Sequence, residues 1–258
     1  HGKFRRQRQM CIRDSVTTQG AASVAIGFEA GNDNQGNEAV AIGDQAGKTT
    51  QGNNATAVGN AAGSTSQGVG AVAVGDTAGG ISQSANAVAI GSSAGLTSQG
   101  ADAIAIGQNA GQTTQGEDAI AIGNRAGVTT QGEDGIAIGN LAGNTSQGAE
   151  AIAIGDGAGF TGQGAEGIAI GNSAGSENQG AESIAIGEFA GMTNQGADAI
   201  AIGKSAGLTS QAANSIVINA SGTTVDNTQA SSLKITPIRN ATMTTILGYD
   251  ATSGEVTH

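Results

Sequence analysis

A glycine returns every 16 residues along this chain. It stands at Gly27, Gly43, Gly59, Gly75, Gly91, Gly107, Gly123, Gly139, Gly155, Gly171, Gly187 and Gly203, with no insertion between copies. A glutamine keeps the same step at Gln35, Gln51, Gln67, Gln83, Gln99, Gln115, Gln131, Gln147, Gln163, Gln179, Gln195 and Gln211. An Ala-Gly pair keeps it from Ala30-Gly31 to Ala206-Gly207. Sixteen residues cannot bury a core alone. A period this short and strict therefore means stacked units, each covering its neighbours.

One copy, Asp118 to Glu133, reads DAIAIGNRAGVTTQGE. Ile120-Ala121-Ile122 alternates as a strand does, and its β-branched residues favour the pleat. Gly123 ends that strand, and Asn124-Arg125 form a variable polar turn. Ala126-Gly127 begins the return, and Thr129 to Gln131 form a second short strand. Gly132 is expected to make the last turn through a positive φ. Glycines this frequent exclude helix, since each costs about 1 kcal/mol in a helix interior. The expected fold is all-β: a single-stranded parallel β-solenoid, or β-roll, of about twelve 16-residue coils over residues 16–219. Coils about 4.8 Å apart would give a rod of roughly 55–60 Å.

Stacking turns sequence columns into ladders of side chains. The alanine at Ala121 recurs from Ala25 to Ala201, flanked by isoleucine or valine columns. Alternation puts alanines on one face and isoleucines on the other. With the alanines inside, Ile104, Ile106, Ile120, Ile122, Ile136, Ile138, Ile152 and Ile154 form an outer apolar stripe. Such a stripe calls for three or more chains to bury it. The opposite assignment, isoleucines inside, allows a monomer. The glutamine column is expected to form a structural ladder, each amide donating to one neighbouring coil and accepting from the other.

Composition narrows the function classes. The chain has 45 glycines, one proline and no tryptophan, so a large aromatic core is out of reach. Net charge is −11, and half of the ten basic residues (Lys3, Arg5, Arg6, Arg8, Arg13) lie in the first thirteen positions. The body lacks the cations that nucleic-acid binding needs. No apolar run approaches membrane-spanning length, so no membrane insertion by this segment is expected. Cys11 has no partner cysteine in the chain. Residues 1–15, with RRQRQMCIRDS at Arg5 to Ser15, share nothing with the repeat. They read as a non-native or disordered leader resembling a translated sequencing-adapter read. A chain that opens on His1 also reads as a piece of something longer.

Candidate sites fare poorly as chemistry. The glycines recur in every coil and no G-K-[ST] follows them, against a phosphate loop. The only histidines are His1 and His258, so no internal imidazole serves as a base. Solenoid acyltransferases follow a six-residue rule, and 16 is not a multiple of six. No catalytic residue, cofactor or metal is therefore expected. Glu38, Asp102, Asp118, Asp134, Glu150, Glu166, Glu182 and Asp198 share one column. That column reads as a turn position, with Asp and Asn bonding to local amides, rather than a calcium site. The threonine column from Thr49 to Thr209 raises ice binding as a second function. Against it stand the breaks at Asp33, Ile81 and Glu177. Strand alternation would also send the adjacent Thr129 and Thr130 to opposite sides.

The segments NAVAIGSSA (Asn86 to Ala94) and NSIVIN (Asn214 to Asn219) resemble the head repeats of YadA-like trimeric autotransporter adhesins. Similar repeats occur in fibre proteins of phages and large viruses. The resemblance implies a left-handed, homotrimeric β-roll on a cell or virion surface, meeting a host-surface receptor or matrix. From Ala220 the period is lost. Tyr249, Ser253, Gly254, Glu255, Val256 and Thr257 fit a Y-x-x-x-[ST]-G-E-[VI]-T stretch. That stretch resembles the junction before stalk or chaperone domains of viral fibres. Residues 220–258 are thus expected to form a short, truncated β cap. The leading expectation is a structural, adhesive extracellular fibre segment. Ice binding comes second and a solenoid enzyme third. The turn pairs Phe28-Glu29, Asn140-Leu141 and Glu188-Phe189 would face receptor or solvent.

Overall fold

The computed structural model describes residues 18–237 and the backbone strands Gly248–Asp250 and Glu255–Thr257. The basic leader and the Ser253-Gly254 turn lie outside the described residues. Among the described residues every regular element is a strand. Two parallel sheets form, one of 14 strands and one of 11. The first collects the Ile-Ala-Ile segments, from Val24–Ile26 to Ile216–Asn219, and ends on Leu233–Thr236. The second collects the Thr-x-Gln segments, from Asp33–Gln35 to Thr193–Gln195. Every coil pairs with the next one 16 residues on, as in Ile120↔Ile136, Ala121↔Ala137 and Ile122↔Ile138. This is the β-solenoid that the period demands.

The alanines are inside. Ala121, Ala126 and Ala137 are completely buried, as are their counterparts from Ala41 to Ala206. At these positions the facing sheet leaves room for little more than a methyl, which is why the columns admit so few departures. Isoleucine therefore faces outward: Ile138, Ile154 and Ile170 are each 36% exposed. The first isoleucine of each strand, such as Ile120 or Ile136, is half-buried.

The turns depend on positive φ. Gly123 sits at +133°, Arg125 at +57°, Gly127 at +56° and Asp118 at +54°. A Cβ on Gly123 would lie 2.4 Å from the carbonyl oxygen of Gly139 in the next coil. Both the dihedral and the close approach exclude a side chain there. Gly132 behaves differently from expectation, since positive φ in its turn falls on Asp134 (+55°). Gly132 instead lies against the following coil, with a built Cβ 2.4 Å from the Ala149 amide nitrogen. Ser84 and Ala212 occupy the same column elsewhere, so that contact can yield.

The stacking outlasts the sequence period. Leu233–Thr236 pairs with Ile216–Asn219 after a step of 17 residues. Asn227 takes up the position of the glutamine column: it is buried, and its carbonyl accepts from the Ala212 amide at 2.8 Å. Asn219 replaces the turn glycine. Its Nδ2 donates to the Lys204 and Thr223 carbonyls, and its Oδ1 accepts from the Ser221 amide and hydroxyl. The alanine column ends on Val217 and then Lys234. A cation at that register discourages a further strand from adding to the edge. Gly248–Asp250 and Glu255–Thr257 form an antiparallel pair with Tyr249 opposite Val256.

Candidate functional surfaces

Among the described residues the glutamines are the largest side chains in the lumen, and their role is a cross-brace more than a ladder. Gln131 Nε2 donates to the Ile120 carbonyl on the opposite sheet and to the Gly135 carbonyl, each at 2.8 Å. All twelve glutamines from Gln35 to Gln211 make the first of these bonds, to the carbonyl eleven residues back. Bonds between glutamines of adjacent coils occur from Gln51 to Gln67, Gln67 to Gln83, Gln83 to Gln99 and Gln195 to Gln211, at 3.1–3.2 Å. The two amide hydrogens are committed to main-chain carbonyls, so little donor capacity is left for a neighbour. The acceptors Gln115 Oε1, Gln131 Oε1 and Gln147 Oε1 are among those left buried without a partner. The Ala-Gly column follows from this brace. A Cβ on Gly127 would lie 2.7 Å from Gln131 Oε1, so the carboxamide occupies the space that a side chain would need.

The outer side of the 14-stranded sheet is apolar along its whole length. Its exposed column runs through Ile26, Ile42, Ile90, Ile138, Ile186 and Ile218 to Ile235. The half-buried column beside it carries Val40, Val72, Ile104, Ile120 and Ile152, with Thr56 as the polar exception. Two such columns over 14 strands cover on the order of 500 Å², at the size where an exposed patch marks a contact surface.

The outer side of the 11-stranded sheet is polar. Thr129 and Thr130 are both exposed while Gln131 is buried, so the expected alternation fails here. In most coils the middle residue takes a positive φ, as at Thr50 (+56°), Ser98 (+57°) and Ser146 (+57°), whereas Thr114 and Thr130 do not. A left-handed residue breaks the period of two and leaves two successive side chains on the outer face. The sequence pattern held no sign of this, because Ser and Thr are ordinary strand residues.

The acidic column is a row of left-handed turn residues, Asp102 (+57°), Asp118 (+54°), Asp134 (+55°) and Glu150 (+57°) among them. The local amide bonds expected of it do not form, and its one side-chain bond runs from Asn86 Nδ2 to Asp102 Oδ1 at 3.0 Å. Asp and Asn fit because they tolerate left-handed φ. The neighbouring column does bind amides: Asn37 Oδ1 accepts from the Ala21 N–H, and Asn53 Oδ1 from the Asn37 N–H. Among the described residues no three His, Cys, Asp or Glu side chains gather as metal ligands. No helix among them is long and apolar enough to cross a membrane.

The variable turn pairs project at the other edge. Phe28 is 59% exposed, and Glu29 bridges to Lys48 at 2.7 Å. Glu188 bridges to Lys204 at 2.8 Å, and Asn140 Nδ2 donates to Asp156 Oδ1 at 2.9 Å. At the N-terminal end, a depression of about 500 Å³ is lined by Thr18, Gln19, Asn34, Gln35, Asn37 and Asn53, with no acid or base on it. No protein-family model matches the chain, and no curated protein matches it.

Proposed function

We propose that this chain is a structural, adhesive fibre segment displayed outside a cell or virion. It assembles as a homotrimer and acts through a rigid repeated surface. The observation that carries this reading is the long isoleucine and valine face, which Thr56 alone interrupts among the described coils. The alanines already fill the lumen, so the isoleucines contribute nothing to the chain's own core. In water such a face is stable when other chains cover it, at roughly 25 cal/mol per Å² of apolar area buried. Three copies meeting along a common axis bury these faces and keep the polar sheet and the turn edges outward. The turns Phe28-Glu29, Asn140-Leu141 and Glu188-Phe189 then present themselves repeatedly to a receptor or matrix.

Electron microscopy of the purified chain, with cell-binding assays on coated beads, tests the reading. The expectation is uniform rods about 60 Å long, and beads retained on cells or matrix. Dispersed single chains, or beads that wash off every surface tried, would count against it.

A further inference from the structure

The 11-stranded sheet turns a second face to solvent, and the trimer described above leaves it free. Two neighbouring columns of short polar side chains lie on it, Thr97, Thr113, Thr129 and Thr145 in one and Ser98, Thr114, Thr130 and Ser146 in the other. Thr114 pairs with Thr130 and Thr145 with Thr161 in parallel register, which spaces such rungs about 4.8 Å apart. From Thr49 to Gly162 no outward position on these strands is charged. That neutrality is selective. Residues 18–237 carry 18 Asp and Glu side chains against 4 Lys and Arg, and nearly all of these stand at the turns. The hydroxyls are also unspent. Among the outward hydroxyls of these strands only that of Thr145 makes a side-chain hydrogen bond, to Asn144 Oδ1 at 3.1 Å.

We propose that this face binds the surface of ice. Ice is an uncharged lattice of oxygens that needs donors and acceptors at a fixed repeat, and each hydroxyl supplies both. A braced solenoid holds its hydroxyls in place beforehand, so little ordering is lost on contact. Charge would hold liquid water at the face, and the face has none over eight successive coils. Threonine methyls and Ile81 leave apolar gaps between the hydroxyls. A neutral polysaccharide is the competing lattice. Sugar rings are gripped by aromatic platforms, and these strands carry no aromatic side chain. The inference stands apart from the fibre reading, because it uses the opposite sheet and does not need a trimer.

The test is thermal hysteresis and partition into a growing ice front, using the full 258-residue chain. Wild type is expected to open a hysteresis gap and to enter the ice. Thr129→Lys and Thr113→Lys, checked as folded by circular dichroism, are expected to abolish the gap. Thr129→Ser and the turn variant Asn124→Lys should keep it. A wild-type chain that shows no gap and stays in the liquid overturns the proposal. So does equal loss in Asn124→Lys. Binding to microcrystalline cellulose without any effect on ice overturns it in favour of a polysaccharide.

Discussion

Gln131 reaches across the lumen and donates to the carbonyl of Ile120, 2.8 Å away on the opposite sheet. An alanine lumen buries little area per coil, so this brace and the backbone ladders hold the two sheets together. Replacing Gln131 by Leu removes both amide bonds and leaves the Gly135 carbonyl only the bond it accepts from the Ile120 amide. A cost of about 1–3 kcal/mol is expected, read as a lower urea midpoint. An unchanged midpoint would contradict the brace.

Gly127→Ala tests the same brace from the other side. The new methyl would meet Gln131 Oε1 and would also sit at a φ of +56°. Gly123→Ala should be worse, because its obstacle is the Gly139 backbone and not a flexible side chain. Each is expected to cost about 1–3 kcal/mol from backbone conformation alone. Thermal melts that rank Gly123→Ala below Gly127→Ala, and both below wild type, would agree.

Asp134 separates backbone from charge. Asn tolerates its left-handed φ and removes a carboxylate, so Asp134→Asn should hold or raise the melting temperature. Asp134→Val should lower it, because a β-branched residue resists that conformation.

Salt should stabilise the rod. Asp102, Asp118, Asp134, Glu150, Glu166, Glu182 and Asp198 stand in consecutive coils on one exposed edge. At about 4.8 Å spacing each neighbouring pair repels by roughly 1 kcal/mol in water, and salt screens this. A melting temperature that rises with sodium chloride is expected. A flat or falling trend would contradict the row.

The sequence made the stacking legible because every column of a solenoid is sampled many times. Ala121 and Ile122 announced an inside and an outside, although only packing could say which was which. What stayed hidden were effects of dihedral and direction. Nothing in TSQ or TTQ shows that the middle residue turns left-handed at Thr50, Ser98 and Ser146, or that Thr129 and Thr130 share the outer face. Gln131 looked like a rung between coils, and its true reach across the coil depends on a lumen only as wide as two alanines. Asn227 kept the glutamine position, but the 17-residue step into Leu233 concealed it.

The face carrying Ile138 and Ile154 is expected to be covered by other copies of the chain. Multi-angle light scattering of the folded protein in dilute buffer tests this most directly. The expected mass is three times the 24.8 kDa of one chain, collapsing toward a single chain when Ile138 and Ile154 are changed to lysine. A folded wild-type chain that weighs 24.8 kDa would contradict it.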